Sequence, residues 1–186
     1  MENNKRVYLR ALEPEDYKRS VAWRNDDEIW GMLGGRKYFV SEAYEQKWIN
    51  DAIFKGGDVR LAVCDTESNL YIGNVYLTDI DYVNRTAESH VLIGDRDYWG
   101  KGLATEAYML LLDYAFNELN LNRIEALVLE NNIRSLNMHK KCGYVEEGIK
   151  RNSVYKNGKY INQIIMAVLK EEISRNRLRI KTTGRL

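Results

Sequence analysis

A glycine-containing turn stands directly before a long helical segment, and this arrangement is suited to binding an anion. The turn reads Gly100-Lys101-Gly102-Leu103-Ala104-Thr105. Glycine lets the backbone approach a ligand closely, and the first N–H groups of a helix bind phosphate oxygens with the helix dipole behind them. Lys101 adds a positive charge beside them. The turn therefore predicts a phosphate-bearing ligand, although the spacing alone also fits a simple tight turn.

Two other phosphate-binding motifs do not match this turn. The phosphate loop of nucleotide hydrolases places its lysine after the second glycine, whereas Lys101 lies between the two glycines. The dinucleotide-binding fingerprint requires a third glycine at a fixed offset, and the sequence has none there. The ligand is therefore expected to be held in a different way.

The hydrophobic periodicity along the chain predicts one α+β domain over residues 1–170 and a charged tail over residues 171–186. Strands are predicted at residues 7–12, 59–64, 70–78, 87–93, 123–129, 145–155 and 160–169. Helices are predicted at residues 14–25, 42–54, 103–119 and 133–142, and short helical pieces at residues 26–40. The dipeptide Asn157-Gly158 predicts a tight hairpin between the last two strands.

Composition excludes several functional classes. The 186 residues carry 28 basic and 27 acidic side chains, so no excess of positive charge favours a nucleic-acid partner. No apolar run reaches the roughly 18–20 residues that span a bilayer, and no signal peptide is recognisable, so we expect no membrane partner. Cys64 and Cys142 lie far apart in the sequence and predict no disulfide framework. We expect a cytoplasmic protein without a metal ion.

Two further motifs give the turn a wider context. They are Asn132-Ile133-Arg134-Ser135 and Lys141-Cys142-Gly143-Tyr144. The turn and these two motifs, in this order, resemble the GNAT superfamily of N-acetyltransferases. The resemblance extends over residues 7–169. It is strongest to the RimJ/RimL-type branch, which includes spermidine acetyltransferases. One departure is Asp97, which stands where the wider superfamily has Arg or Gln. The resemblance implies a mixed, mostly antiparallel sheet that is splayed between its fourth and fifth strands, with helices on both faces.

The resemblance also implies an activity and a cofactor site. The acetyl group of acetyl-CoA would pass directly to a primary amine, on a protein N-terminus or on a small molecule such as a polyamine or amino sugar. The turn from Gly100 to Thr105 would hold the pyrophosphate. Backbone groups of Val91, Leu92 and Ile93 would pair with the pantetheine arm. The remaining expected cofactor-binding residues are Asn132, Ser135 and Lys141.

Three residues are candidates for catalysis. Glu88 would accept the proton of the attacking amine, and the alternative is a solvent-exposed strand glutamate. His139 stands where many relatives have a tyrosine, four residues after the serine, and would protonate the departing thiolate. Ser135 or water is the alternative donor. Because His139 replaces that tyrosine, a non-catalytic acyl-CoA-binding module is the second hypothesis for the chain.

The acceptor side of the site is less defined by sequence. A polyamine would need clustered acids, for which the candidates are Asp26, Asp27, Glu28, Asp79 and Asp81. Trp23, Arg24, Asn25 and Trp30 would contact the substrate or pack in the core, and Cys142 is expected in the core. From the resemblance, a homodimer that uses the C-terminal hairpin is one expected assembly.

Overall fold

Seven strands of the described residues form one mixed sheet. The computed structural model describes residues 5–173, so most of the predicted tail lies outside the described residues. The strands are β1 (Val7–Ala11), β2 (Val59–Asp65), β3 (Tyr71–Asp81), β4 (Thr86–Ile93), β5 (Arg123–Leu129), β6 (Val145–Lys156) and β7 (Lys159–Leu169). Their order in the sheet is β1-β2-β3-β4-β5-β7-β6. Neighbouring strands are antiparallel except β4 and β5, which confirms the predicted sheet.

The helices that lie between the strands connect and cover them. They are α1 (Tyr17–Arg24), α2 (Asp27–Met32), α3 (Glu42–Phe54), α4 (Leu103–Asn117) and α5 (Ile133–Lys141). Short 3₁₀ turns at Pro14–Asp16 and Arg96–Tyr98 precede α1 and the glycine turn. Within residues 5–173, no helix combines the length and the apolar character needed to cross a bilayer.

Each face of the sheet has its own hydrophobic core. On one face, α4 contributes Ala107, Leu111 and Ala115 to a large cluster that also includes side chains of β4 and β5. On the other face, Trp23 of α1 and Ile49 of α3 belong to a second cluster. Because each side of the sheet is apolar, it must be covered, and the helices therefore lie on both faces as predicted.

The pairing between β4 and β5 is short. Thr86, Ala87 and Glu88 pair with the first three residues of β5, and within the described residues no further pairing joins the two strands. Beyond Glu88, β4 continues to pair with β3 on its other side as far as Ile93. The sheet is therefore splayed between its fourth and fifth strands, which leaves one edge of β4 facing a gap.

Alternation along β4 assigns its side chains to the two faces. Ala87 and Ser89 are buried on the α4 side. Glu88, His90 and Leu92 point to the opposite face. Their cross-strand partners on β3 share that face, and these are Thr78, Tyr76 and Asn74.

Local sequence signals account for most element boundaries. Ser41 caps α3 by accepting a hydrogen bond from the Tyr44 N–H (3.2 Å), and α3 has the predicted bounds. Asn157 and Gly158 both have positive φ (49° and 79°), so the predicted tight hairpin is confirmed. Helix α4 ends at Asn117, two residues earlier than predicted.

The hydrophobic periodicity of α4 predicts one buried stripe of Leu103, Ala107, Leu111, Tyr114 and Ala115, and this prediction is wrong for Tyr114. Its side chain is 38% exposed, whereas Leu111 on the same helix is fully buried. We predict that Leu111→Ala lowers the free energy of unfolding by about 2–5 kcal/mol, because it leaves a cavity in the core. Tyr114→Ala is the matched control and should change it by less than about 1 kcal/mol. Urea unfolding measures both, and equal losses would contradict the assigned core.

Candidate active site

The start of α4 is built from backbone groups. Gly100 and Gly102 have φ of 73° and 80°, in the left-handed region that favours glycine. Gly102 caps the helix without a side-chain hydrogen bond, so the first N–H groups of α4 are free to bind an anion. Arg6 holds the turn in place, since its Nη1 donates to the Lys101 carbonyl (2.9 Å) and its backbone N–H to Glu106 (2.6 Å).

A cavity of about 800 Å³ extends from this helix start into the gap beside β4. We call it the cofactor cavity. The predicted cofactor-binding residues on its wall are Val91, Leu92, Ile93, Gly100, Gly102, Leu103, Ala104, Thr105, Asn132, Ser135 and Lys141. Lys101 is not on the wall, and its ammonium lies 5.4 Å from the centre of the Tyr98 ring.

Cations line the cofactor cavity as well. Arg134 and Lys141 lie on its wall, and neither forms an ion pair within the described residues. Arg96 is also on the wall, but it pairs with Asp26 (2.6 Å) and Glu28 (2.8 Å). Arg134 was not singled out from the sequence, although it lies inside the Asn132–Ser135 motif. Unpaired cations near a helix start favour a polyanionic ligand such as a phosphorylated cofactor.

Both ends of the Asn132 side-chain amide bond to the protein. Its Oδ1 accepts the Ser135 N–H (3.1 Å) and caps α5, while its Nδ2 donates to the Met32 carbonyl (3.0 Å). Asn132 therefore fixes α5 against the end of α2. Ser135 follows on the first turn of α5, and its hydroxyl oxygen lies 3.3 Å from Nδ1 of His139.

His139 is buried between the cofactor cavity and a cluster of hydroxyl groups. Its Nδ1 lies 2.8 Å from the Ser135 carbonyl oxygen, which can only accept, so we assign the ring proton to Nδ1. Nε2 then accepts a hydrogen bond from Tyr108 (3.0 Å). The Tyr108 hydroxyl also lies within hydrogen-bond distance of Ser89 and Tyr144. Burial lowers the pKa of His139 below 6.5, which favours the neutral ring.

A second cavity, of about 370 Å³, lies on the opposite face of the sheet. We call it the acceptor cavity. Residues on the walls of both cavities are Leu33, Gly34, His90, Val91, Leu92 and Leu127. The two cavities therefore adjoin where β4 parts from β5.

Glu88 lies on the wall of the acceptor cavity. Burial raises the pKa of its carboxyl above the usual 4.5, and the charge of Asp79 raises it further. His90 Nε2 is 3.8 Å from the Glu88 carboxylate and 2.9 Å from the Thr78 hydroxyl. Burial and the charge of Arg60 lower the pKa of His90, so this ring is neutral near pH 7. Sequence reasoning missed His90, although its position two residues after Glu88 places both on one face.

Side chains of the first helices complete the acceptor cavity. Trp23, Arg24 and Trp30 line it, whereas Asn25 bonds to both backbone groups of Val40 and has a structural role. Most of the acids considered for a polyamine are engaged elsewhere. Asp26 and Glu28 pair with Arg96, Asp27 pairs with Lys37, and Asp81 accepts hydrogen bonds from Val83 and Asn84.

Two other chemistries receive no support from the described residues. Burial raises the pKa of Cys142 to about 12, so this thiol is a core group and a poor nucleophile. Within residues 5–173, no group of His, Cys, Asp and Glu side chains is arranged to hold a metal ion.

Comparison with known proteins identifies the family. Residues 6–145 match the acetyltransferase (GNAT) domain. The chain belongs to the GNAT family. It is 32% identical to spermidine N(1)-acetyltransferase from Vibrio cholerae over 91% of this chain and 96% of that protein. It is 33% identical to the uncharacterized N-acetyltransferase p20 from Bacillus licheniformis over 90% of this chain and 94% of that protein.

A solved structure extends this similarity to the fold. Spermidine N-acetyltransferase from Vibrio cholerae, in complex with CoA and spermine, superposes with a TM-score of 0.84 at 30% identity. The match covers 92% of this chain and 99% of that one. This GNAT protein is an acetyl-CoA-dependent N-acetyltransferase that acetylates amines, as the motifs predicted. The catalytic and binding roles assigned to individual residues remain predictions.

The neutral state of His139 can be measured directly. We predict that NMR titration gives its ring a pKa below 6.5. Because the unfolded chain binds this proton at higher pH, the neutral ring stabilises the fold fully above pH 6.5, and this is lost as the pH falls through the folded pKa. His139→Gln assigns the resonance, since the chain has two histidines. A pKa above 6.5 would contradict the assigned hydrogen bonds.

The helix start gives a second prediction. Gly102→Ala forces alanine into φ near 80°, which costs roughly 1–2 kcal/mol or shifts the turn. We expect the dissociation constant of CoA to rise about tenfold, measured by isothermal titration calorimetry. Gly56→Ala is the control, because an added Cβ there meets no atom within 4 Å and φ is not left-handed. Equal affinities for both variants would show that the turn does not hold CoA.

Proposed function

We propose that this N-acetyltransferase acetylates a primary amine of a small molecule, which enters the acceptor cavity and reacts at the gap in the sheet. The observation that carries the proposal is the shared wall of the two cavities. His90, Val91 and Leu92 on β4 face both spaces, and Glu88 lies on the acceptor side. An amine in one cavity can thereby approach a thioester in the other.

Two observations support a small molecule as the acceptor of the acetyl group: the size of the acceptor cavity and the substrates of relatives. A space of about 370 Å³ walled by aromatic side chains suits a compact molecule. The Vibrio cholerae relative is named for spermidine, a small amine, and has been solved with spermine. That relative also forms a dodecamer. For this chain, a homodimer remains a prediction.

The residues of the cofactor cavity fit acetyl-CoA. The N–H groups of Leu103, Ala104 and Thr105 would hold the pyrophosphate, with Arg134 and Lys141 supplying positive charge. The free edge of β4 from Val91 to Ile93 would pair with the amides of the pantetheine arm. Acetyl-CoA, when bound, supplies the thioester whose carbonyl carbon accepts the amine.

Glu88 performs the first proton transfer. An aliphatic amine is protonated at pH 7, and it attacks only as the free base. The Glu88 carboxylate accepts a proton from the amine, directly or through water, while the neutral His90 ring beside it hydrogen-bonds to Thr78. A backbone N–H of β4 polarises the thioester carbonyl. The new C–N bond forms as the C–S bond breaks, which gives the N-acetyl product and the CoA thiolate.

Ser135 and His139 serve the leaving group. The Ser135 hydroxyl lies on the wall of the cofactor cavity and donates a hydrogen bond to the thiolate. His139 lies next to it, with Nδ1 3.3 Å from the Ser135 oxygen. On the other side of the ring, Nε2 accepts a hydrogen bond from the Tyr108 hydroxyl. Because its ring is neutral, His139 positions the Ser135 hydroxyl in place of a tyrosine, and the thiolate takes its proton from water.

Replacement of the base tests this mechanism. We predict that Glu88→Gln lowers kcat at least about 100-fold while the affinity for CoA is unchanged. The wild-type kcat should fall as the pH is lowered through the raised pKa of Glu88, because the protonated carboxyl cannot accept a proton. The inflection at the pKa of Glu88 should be absent in Glu88→Gln, whose kcat should follow only the fraction of free-base amine. Release of CoA, followed with a thiol reagent across the pH range, measures both effects.

The control for this experiment is Glu146→Gln. Glu146 is an exposed glutamate on β6 that pairs with Lys140 of α5. The control should retain wild-type kcat and the inflection. If Glu88→Gln behaved like Glu146→Gln, Glu88 would not be the base. If the wild type released no CoA with any small amine but acetylated peptide N-termini, the proposed acceptor class would be wrong.

A further inference from the structure

Three polar side chains on the wall of the acceptor cavity have free N–H groups. They are Arg24 of α1, Asn74 of β3 and Gln163 of β7. In each, the protein satisfies one end of the planar group and leaves nitrogen donors at the other end. A donor on a cavity wall can bond to a molecule that enters the cavity. The three side chains therefore indicate that the ligand carries hydrogen-bond acceptors.

Asn74 is the most constrained of the three. Its side chain is 2% exposed, and its Oδ1 accepts a hydrogen bond from the Tyr71 hydroxyl (2.7 Å). Its Nδ2 is buried and has no hydrogen-bond partner within the described residues. The unpaired donor therefore points to an oxygen acceptor on the molecule that fills the cavity.

Gln163 and Arg24 repeat this pattern. The Gln163 Oε1 accepts from the Ser153 hydroxyl (3.0 Å), which leaves Nε2 without a hydrogen bond in the described part of the chain. Arg24 bonds to Glu45 through Nε (3.4 Å), and its two terminal nitrogens have no partner among residues 5–173. Its guanidinium is held 4.9 Å from the Trp48 ring centre. The cavity thus offers several donors of fixed orientation.

Four aromatic side chains also lie on this wall, together with aliphatic residues such as Leu33 and Val91. The aromatic residues on the wall beside the three polar side chains are Trp23, Trp30, Trp48 and Tyr76. An aromatic ring packs well against the C–H face of a sugar ring, while planar amide and guanidinium donors bond to its hydroxyl oxygens. On this basis, and given the small-amine activity proposed above, we infer that the acceptor is an amino sugar. Arg24, Asn74 and Gln163 are its specificity-determining residues.

A polyamine fits these groups poorly. It has no oxygen acceptor for the free donors, and its additional ammonium groups would lie near Arg24. A second guanidinium, that of Arg60, packs against Tyr76, 5.1 Å from the ring centre, and pairs with Asp58 (2.7 Å). Of the described carboxylates, Glu45 and Glu88 line this cavity, and Glu45 is already paired with Arg24.

The test compares acceptors that differ in oxygen content. Release of CoA is measured with glucosamine, galactosamine, mannosamine and kanosamine, with cyclohexylamine as the matched ring without hydroxyls, and with spermidine. Rates are expressed per free-base amine, because these amines differ in pKa. We expect kcat/KM for the best amino sugar to exceed that for cyclohexylamine and spermidine at least about 100-fold.

Variants then link the preference to the donors. Asn74→Leu and Gln163→Leu keep the side-chain size but remove the donors, and each should reduce the ratio of amino sugar to cyclohexylamine about tenfold or more. Asn117→Leu, on the exposed end of α4, is the control and should keep the wild-type ratio. Calorimetric binding of CoA to each variant verifies that it is folded.

The outcomes separate this inference from the proposed function. If no amine in the panel releases CoA, the proposed small-amine activity fails. If cyclohexylamine or spermidine matches the best amino sugar, or if both folded leucine variants keep the wild-type ratio, the inference is wrong while the proposed function stands. If one leucine variant does not bind CoA, the inference is judged from the ratio of amino sugar to cyclohexylamine in the other variant.

Discussion

The parting of β4 from β5 is the constraint on which the site depends. The two strands are parallel neighbours and pair at three positions, and each then continues to pair with its other neighbour. A sheet that remained paired along this edge would have no space for a cofactor, because backbone hydrogen bonds would close it. The free edge of β4 lies beside the start of α4, so one ligand can reach both. The gap also joins the two faces of the sheet at Leu92.

The rest of the fold keeps this gap open. The core under α4 fixes β4 from one face, and the aromatic cluster around Trp23 fixes it from the other. Asn132 ties α5 to the end of α2 across the mouth of the cofactor cavity. The hydroxyl cluster of Ser89, Tyr108 and Tyr144 connects β4, α4 and the segment after α5. Together these contacts fix the elements that border the gap.

The cofactor half of the site could be predicted because its parts are local in sequence. The glycines, the start of α4 and the Asn132–Ser135 motif are short segments whose backbone geometry follows from residue type. Lys101 is different, since the direction of an exposed side chain depends on neighbours such as Tyr98. Likewise, Tyr114 fits a helical stripe in the sequence, but the packing of α4 on the sheet leaves it partly exposed.

The acceptor half could not be predicted because it is assembled from distant segments. The four residues Arg24, Asn74, His90 and Gln163 come from α1, β3, β4 and β7. They meet in one cavity through the register of the strands and the packing of α1 on the sheet. The sequence also cannot show which donors stay free, because Tyr71, Ser153 and Glu45 satisfy the other ends through tertiary contacts. The pairing of Asp26 and Glu28 with Arg96 is another such contact, and it makes these acids poor candidates for a polyamine site.

Hydrogen exchange of the backbone amides, measured with and without CoA, tests the central claim most directly. CoA bound in the gap should slow exchange at Val91 and Ile93 on β4, whose N–H groups face away from β3, and at Leu103–Thr105 at the start of α4, since these N–H groups would become donors to the ligand. Amides of β6, which is remote from the cavity, should exchange as before. Protection that spared β4 and the start of α4 would contradict the account, because CoA would then bind elsewhere.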